Sequence, residues 1–268
     1  MLTNKGSLSL LSDYGDNSSD DDVPGPRVST KRTHKDDDVN LSFKKRLPLP
    51  DSFLRDNVVN EEHIDEPSLH NGRIRSFAHE RGNWATFVYI PLEQQDGVKD
   101  LVNEIIRCAP ESINLKPVDD FHISLTKTVI LRHHWINPFV DSVKLRTKYL
   151  NKFMILFNDL KIYCNEERTR TFIGLRIQTG YDSLKSLVDI LDVCLGEFSL
   201  PAFYEDPSFH MSIVWCAGDL ENELKEILPE FSNRFQELMD SYSQDNWYMY
   251  VSYLLCKSGN KHFKFGLI

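Results

Sequence analysis

The sequence predicts an α+β fold of two related lobes, each an antiparallel sheet with helices. Three observations carry that reading. Strand-like and helix-like hydrophobic periods alternate from residue 83 onward, one strand-borne motif occurs twice in the same frame, and the chain closes on two strands joined by a tight turn. The second half of this pattern echoes the first, which implies a pseudo-two-fold relation between the lobes.

The first strand is expected over Asn83 to Ile90, where β-branched and aromatic residues run up to Pro91. Val98, Leu101, Val102, Ile105 and Ile106 then recur at helical spacing between Gly97 and Ala109. Phe121 to Leu125 alternates as a strand does. A helix is expected over 132–150 from Ile136, Phe139, Val140, Val143 and Leu150, with Pro138 tolerated only in its first turn.

Two strands, Phe153 to Cys164 and Thr171 to Gln178, flank the charged hairpin loop Asn165 to Arg170. Leu184, Leu187, Val188, Leu191, Leu195 and Phe198 make the clearest amphipathic helix of the chain. Phe209 to Val214 is the second alternating strand. A more exposed helix follows over Gly218 to Phe231. Trp247 to Cys256 and Phe263 to Ile268 are read as closing strands around the turn Lys257-Ser258-Gly259-Asn260.

A chain of 268 residues with 41% hydrophobic and 11% aromatic residues can bury a large core. No run approaches the roughly 18 apolar residues of a membrane span, and Met1 to Leu11 lacks the apolar stretch of a secretory signal. An intracellular protein without a membrane partner is expected. The five cysteines, at 108, 164, 194, 216 and 256, form no Cys-x-x-Cys pair and are read as reduced thiols.

The net charge of −9 argues against gripping extended nucleic acid through a broad basic surface. Residues 1–71 carry 9 Lys and Arg against 14 Asp and Glu, so the remainder is only mildly acidic and can hold a short RNA end in a local pocket. Residues 1–72 are read as a disordered acidic and polar region, and 73–268 as the folded domain. Lys31-Arg32 and Lys44-Lys45-Arg46 are candidates for a nuclear import signal, with solvated charge as the alternative.

Of nine histidines, only His122 and His210 lie in His-x-Ser. Both sit in one apolar frame, Phe121-His122-Ile123-Ser124-Leu125 and Phe209-His210-Met211-Ser212-Ile213. A single copy of such a tripeptide carries little weight; the matched frame does. On a strand, residues two apart share a face, so each copy presents an imidazole beside a hydroxyl. Two such strands around one cleft would set two histidines and two hydroxyls about a phosphate. One neutral imidazole can then take the proton of a ribose 2′-OH while the other, protonated, supplies the leaving oxygen. The residues do not say which is which. This scheme needs no metal or other cofactor. Adjacent His133-His134 lack a third ligand at useful spacing and are read as structural.

The paired motif resembles the 2H phosphoesterase superfamily. Over roughly residues 73–268, the strings His79-Glu80-Arg81-Gly82-Asn83-Trp84-Ala85-Thr86, Leu131-Arg132-His133-His134-Trp135-Ile136, Thr169-Arg170-Thr171-Phe172-Ile173-Gly174-Leu175 and Asp206-Pro207-Ser208-Phe209-His210 resemble one family within it, the U6 snRNA phosphodiesterases. The resemblance implies a two-lobed 2H phosphoesterase fold. It also implies a nuclear, metal-independent 3′-to-5′ exoribonuclease that shortens the oligouridine tail of U6 snRNA, leaving a 2′,3′-cyclic phosphate or its opened product.

By the same resemblance, His122, Ser124, His210 and Ser212 are catalytic. Ile123, Glu166, Tyr204, Asp206, Pro207, Ser208, Phe209 and Met211 line the substrate pocket, with Tyr204 similar to an aromatic that stacks on the terminal base. Glu166 falls where members of the family have glutamine; its carboxylate lacks the amide's donor and adds charge near phosphate. A monomer acting on an RNA 3′ end is expected. Two alternatives stay open: a hydrolase that opens 2′,3′-cyclic phosphate ends, and a non-catalytic module that only binds RNA ends.

Overall fold

The computed structural model describes residues 80–93 and 95–268, all within a unit that spans Glu61–Ile268. The expectations for residues 1–72, including both basic clusters, lie outside the described residues.

The elements are β1 (Asn83–Pro91), α1 (Asp96–Cys108), β2 (Lys116–Pro117), β3 (His122–Ser124), β4 (Val129–Arg132), α2 (Ile136–Thr147), β5 (Phe153–Cys164), β6 (Arg170–Thr179), α3 (Tyr181–Gly196), β7 (His210–Ala217), α4 (Glu221–Ser241), β8 (Tyr248–Val251), β9 (Tyr253–Ser258) and β10 (Lys261–Gly266). Short 3₁₀ turns at His133–Trp135 and Gln244–Asn246 precede α2 and β8.

They build two five-stranded sheets. The first has the order β10-β9-β1-β3, with β4 also on β1; the second runs β2-β7-β6-β5-β8. Every pairing is antiparallel. The expected class is therefore the observed one. Among the described residues no helix is long and apolar enough to cross a membrane.

Helix α1 buries the residues its period selects: Val98, Leu101, Val102 and Ile105 are all at most 6% exposed. Each such aliphatic side chain contributes about 1.5–3 kcal/mol on burial. That face packs on α4 and β7, while α2 packs on α3 and β10. Pro138 lies in the first turn of α2, where a missing N–H leaves no intrahelical bond unmade. The turn at Gly259 takes φ +57, and a Cβ there would meet the Trp84 ring at 2.5 Å, so both backbone and space demand glycine.

Three expectations need correction. The helix expected over 132–150 is preceded by a strand, because Val129–Thr86 to Arg132–Asn83 is a non-local pairing that a four-residue run does not announce. Helix α4 does not end at Phe231 but continues to Ser241 through Pro229. Burial of Phe231 and Phe235, with Phe235 edge-on to Trp247 at 5.1 Å between centroids, outweighs the roughly 3 kcal/mol that an interior proline costs. The single strand expected over 247–256 is two. β8 pairs β5 in the second sheet and β9 pairs β1 in the first, with the chain changing sheets at Ser252.

Candidate active site

Strand β3 ends the path of the first sheet, and it packs against β7 of the second. The two-residue period acts on both strands as expected. Ile123 is fully buried and Met211 is 1% exposed, whereas His122, Ser124, His210 and Ser212 are half-buried on the opposite face. Phe121, Leu125, Phe209 and Ile213 anchor the strands in the core.

The two histidines are held alike. His122 Nδ1–H donates to the carbonyl of Asp120 at 2.9 Å, and His210 Nδ1–H donates to that of Ser208 at 2.7 Å. A carbonyl only accepts, so each ring carries its proton on Nδ1 and leaves Nε2 to exchange one. Among the described residues no hydrogen bond engages the hydroxyl of Ser124 or Ser212, so both can donate to a ligand.

His210 lies deeper than the motif implies. Burial holds its imidazolium down, with a pKa of about 4; the bond to Ser208 opposes this, and positive charge on His122 and Lys161 lowers it further. That His122 acts on it at all reflects how close β3 brings the two rings. Tyr163 of β5 stacks on His210, and its hydroxyl lies 3.2 Å from Ser208 Oγ. Gly174 of β6 makes the room: a Cβ there would come within 3.0 Å of His210 Cδ2 and 3.1 Å of Tyr163 Cε2. On the other side, Tyr89 meets His122 edge-on at 5.6 Å and Phe87 lies at 6.1 Å.

Glu166, in the loop between β5 and β6, forms an ion pair with Lys127 at 2.7 Å. The ammonium of Lys127 also sits 4.3 Å from the centre of the Tyr204 ring. Lys127 holds the Glu166 carboxyl below its ordinary range, and burial together with the Glu166 charge raises the Tyr204 phenol. Tyr204 is itself 46% exposed and rests on Phe203, which stacks on Phe209.

Of the residues expected to line the pocket, Tyr204, Asp206 and Glu166 are exposed and Ser208 is half-buried. The side chains of Ile123, Phe209 and Met211 belong to the core, because they alternate with the histidines and serines, so these residues can reach a ligand only through their main chain. Pro207 is buried likewise. His133 and His134 pack against Trp84 and Trp135. Among the described residues no group of three or more His, Cys, Asp or Glu is placed to hold a metal ion.

Tyr163, Gly174 and Lys127 were not singled out by the sequence. An isolated glycine inside the β6 pattern is the signal that could have flagged the close approach. Lys127 falls three residues after Ser124 in an unremarkable polar stretch, and nothing local sets it apart.

Two imidazoles with free Nε2 atoms and two hydroxyls on facing strands are chemically able to supply the acid, base and donors that cleavage of a phosphodiester requires. A family model described as "HVSL: Uncharacterised conserved protein" matches residues 47–266. U6 snRNA phosphodiesterase 1 of Xenopus laevis is 42% identical over 224 residues, covering 81% of this chain and 88% of the relative. The Homo sapiens protein of the same name is 40% identical over 232 residues, covering 84% and 85%. In fold, Kluyveromyces marxianus Usb1, solved with uridine monophosphate, is similar with a TM-score of 0.52 at 12% identity, over 68% of this chain and 98% of that one.

The architecture is thus that of a 2H phosphoesterase, an α+β fold of two antiparallel sheets with helices. Within that class, the chain belongs to the U6 snRNA phosphodiesterase family.

Proposed function

We propose that this protein is a 3′-to-5′ exoribonuclease that trims the oligouridine tail of U6 snRNA by two-histidine acid/base catalysis. The observation that carries the reading is the matched pair His122 and His210, each fixed through Nδ1 to the carbonyl two residues before it. The names of the relatives supply the RNA.

In this reading the scissile phosphate lies between the histidines, with Ser124 and Ser212 donating to its oxygens. His210, neutral at pH 7, takes the proton of the 2′-OH of the penultimate nucleotide. That oxygen attacks phosphorus and the bond to the 5′-oxygen of the last nucleotide breaks. His122, as imidazolium, gives its proton to that oxygen, leaving a 2′,3′-cyclic phosphate on the shortened RNA. The negative phosphate raises the basicity of His210 while it is bound. Each transferred proton is worth roughly 10²–10⁴-fold in rate. Residues 73–268 form the catalytic domain, Tyr204 stacks on the last base, and the protein acts as a monomer in the nucleus.

The test is a 3′-oligouridylated RNA incubated in EDTA with the wild type, His122→Ala and His210→Ala. A one-nucleotide ladder from the wild type alone is the expected result. No shortening, or mutants that match the wild type, would replace this reading with that of an RNA-end-binding module. Treating the products with a phosphatase before and after acid opening of the cyclic phosphate separates transesterification from hydrolysis.

A further inference from the structure

The antiparallel registers of the first sheet place more than His122 and Ser124 on the face that borders the cleft. Ser124 pairs with Tyr89, Tyr89 with Leu255, and Leu255 with Lys264. Directly opposed residues share a face, so these four form one row across β3, β1, β9 and β10. At the usual strand spacing the row is about 14 Å long. A second row lies beside it, two residues along each strand: Phe87 pairs with Lys257 and Lys257 with His262.

The chemistry of the two rows is consistent. Phe87 and Tyr89 stack on one another at 5.0 Å, and both lie against His122. Lys264 sits over the ring of Tyr253 at 3.8 Å, on the same face through its own register with Gly266. Lys257, His262 and Lys264 are exposed. Among the described residues neither lysine has a carboxylate within ion-pair distance, although the chain as a whole carries a net charge of −9. Three helical lysines are placed differently: Lys99, Lys185 and Lys225 each hold an acidic neighbour on their own helix.

Aromatic rings next to a catalytic imidazole, leading to unneutralised cations at the far edge, form a platform for single-stranded nucleic acid. Bases stack on the rings and phosphates meet the ammonium groups. We propose that this face of the first sheet binds the RNA upstream of the scissile bond. The nucleotide preceding that bond rests on Tyr89 and Phe87, and the phosphates further toward the 5′ end reach Lys257 and Lys264. Direction follows from the site already described: Tyr204 holds the last base, so the retained strand runs away from it across the first sheet, with the ribose preceding the bond turned so that its 2′-OH reaches His210 and the departing 5′-oxygen faces His122. This inference deepens the exoribonuclease reading and rests on it for that direction.

The experiment uses the full chain and a fluorescent oligouridine carrying a 2′-O-methyl at its penultimate nucleotide, which binds without being cleaved. Affinity is measured by anisotropy over a range of salt for the wild type, for Lys257→Gln/Lys264→Gln, and for the charge-matched control Lys99→Gln/Lys225→Gln. Removing two phosphate contacts should lower the slope of log affinity against log salt by about 1.4 and weaken binding at low salt by about ten-fold or more, with the control unchanged. Cleavage of the dinucleotide UpU, too short to reach either lysine, should be unaltered in all three. Equal slopes for the double variant and the wild type, or an equal loss in the control, would overturn the proposal. Failure of the wild type to cleave UpU or the unmodified oligouridine would instead count against the exoribonuclease reading and leave the binding result to stand by itself.

Discussion

Tyr163 lies flat on His210, with ring centroids 3.6 Å apart and planes 15° from parallel, while its hydroxyl reaches the same Ser208 whose carbonyl receives the His210 proton. One side chain thus limits both the tilt of the imidazole and the position of its acceptor. A stack of this kind is worth about 0.5–1.5 kcal/mol beyond its buried area. Tyr163→Leu should cost kcat about two- to ten-fold, and by admitting water to the ring it should move the acid limb of the pH profile toward that of an ordinary histidine. Tyr163→Phe, which keeps the stack, should lie close to the wild type. Steady-state rates from pH 4 to 8 test both.

Gly174 is the counterpart of that contact. In Gly174→Ala the new methyl would press on His210, on Tyr163 and, at 3.2 Å, on the carbonyl of Met211, of which only the side chains can yield. Overpacking of this sort costs about 1–3 kcal/mol. The melting temperature should fall by several degrees, and kcat should fall further than stability explains, because the displaced ring is the proposed base. A variant with wild-type kcat would show that the position of His210 is not critical.

Burial also ties His210 to stability. Its folded-state pKa of about 4 lies below the ordinary 6.5 of the unfolded chain. Between these values the unfolded chain takes up a proton that the folded one refuses. Stability from this group is therefore complete above pH 6.5, falls as the pH drops toward 4, and levels off below. The loss amounts to about 3 kcal/mol, less whatever the exposed edge of the ring recovers from solvent. Urea unfolding of the wild type and of His210→Gln at pH 7.5 and 4.5 measures it, since the variant lacks this titration and should lose less.

The Lys127–Glu166 pair sets the charge beside Tyr204, the residue proposed to stack on the last base. Glu166→Gln removes the carboxylate that engages Lys127 and restores an amide donor, so the affinity for uridine monophosphate should rise several-fold. Stability should barely change, because a pair this exposed contributes little. Isothermal titration with the mononucleotide would detect it. Lys127→Gln should act in the opposite direction, leaving the Glu166 carboxylate without its ion-pair partner.

Much of this site was legible in the sequence, for a physical reason. The period of a strand is short and strict, so Phe121 to Leu125 and Phe209 to Ile213 declare which side chains share a face without reference to the rest of the fold. The boundaries of α1, β5, β6 and α3 were recoverable from the spacing of their buried residues in the same way. What escaped depends on partners distant in the chain. β4 exists through its pairing with β1, and α4 outruns Pro229 because Trp247 covers Phe235. Tyr163 meets His210 only once β6 separates their strands. Residues that follow one another in extended chain cannot share a face: of Phe209, His210 and Met211, only the histidine turns its side chain out of the core.

The change of sheet at Ser252 means that the two lobes are not separable modules. Strand β8 completes one sheet and, after a single residue, β9 and β10 enter the other. A chain emerging from the ribosome can assemble the core of the second sheet early, yet β1 lacks its β9 neighbour, and β3 its finished sheet, until β9 and β10 have emerged. No single cut yields two intact halves. Catalytic competence therefore waits for β9 and β10 to be made, and a chain that stops before them lacks an organised His122 wall.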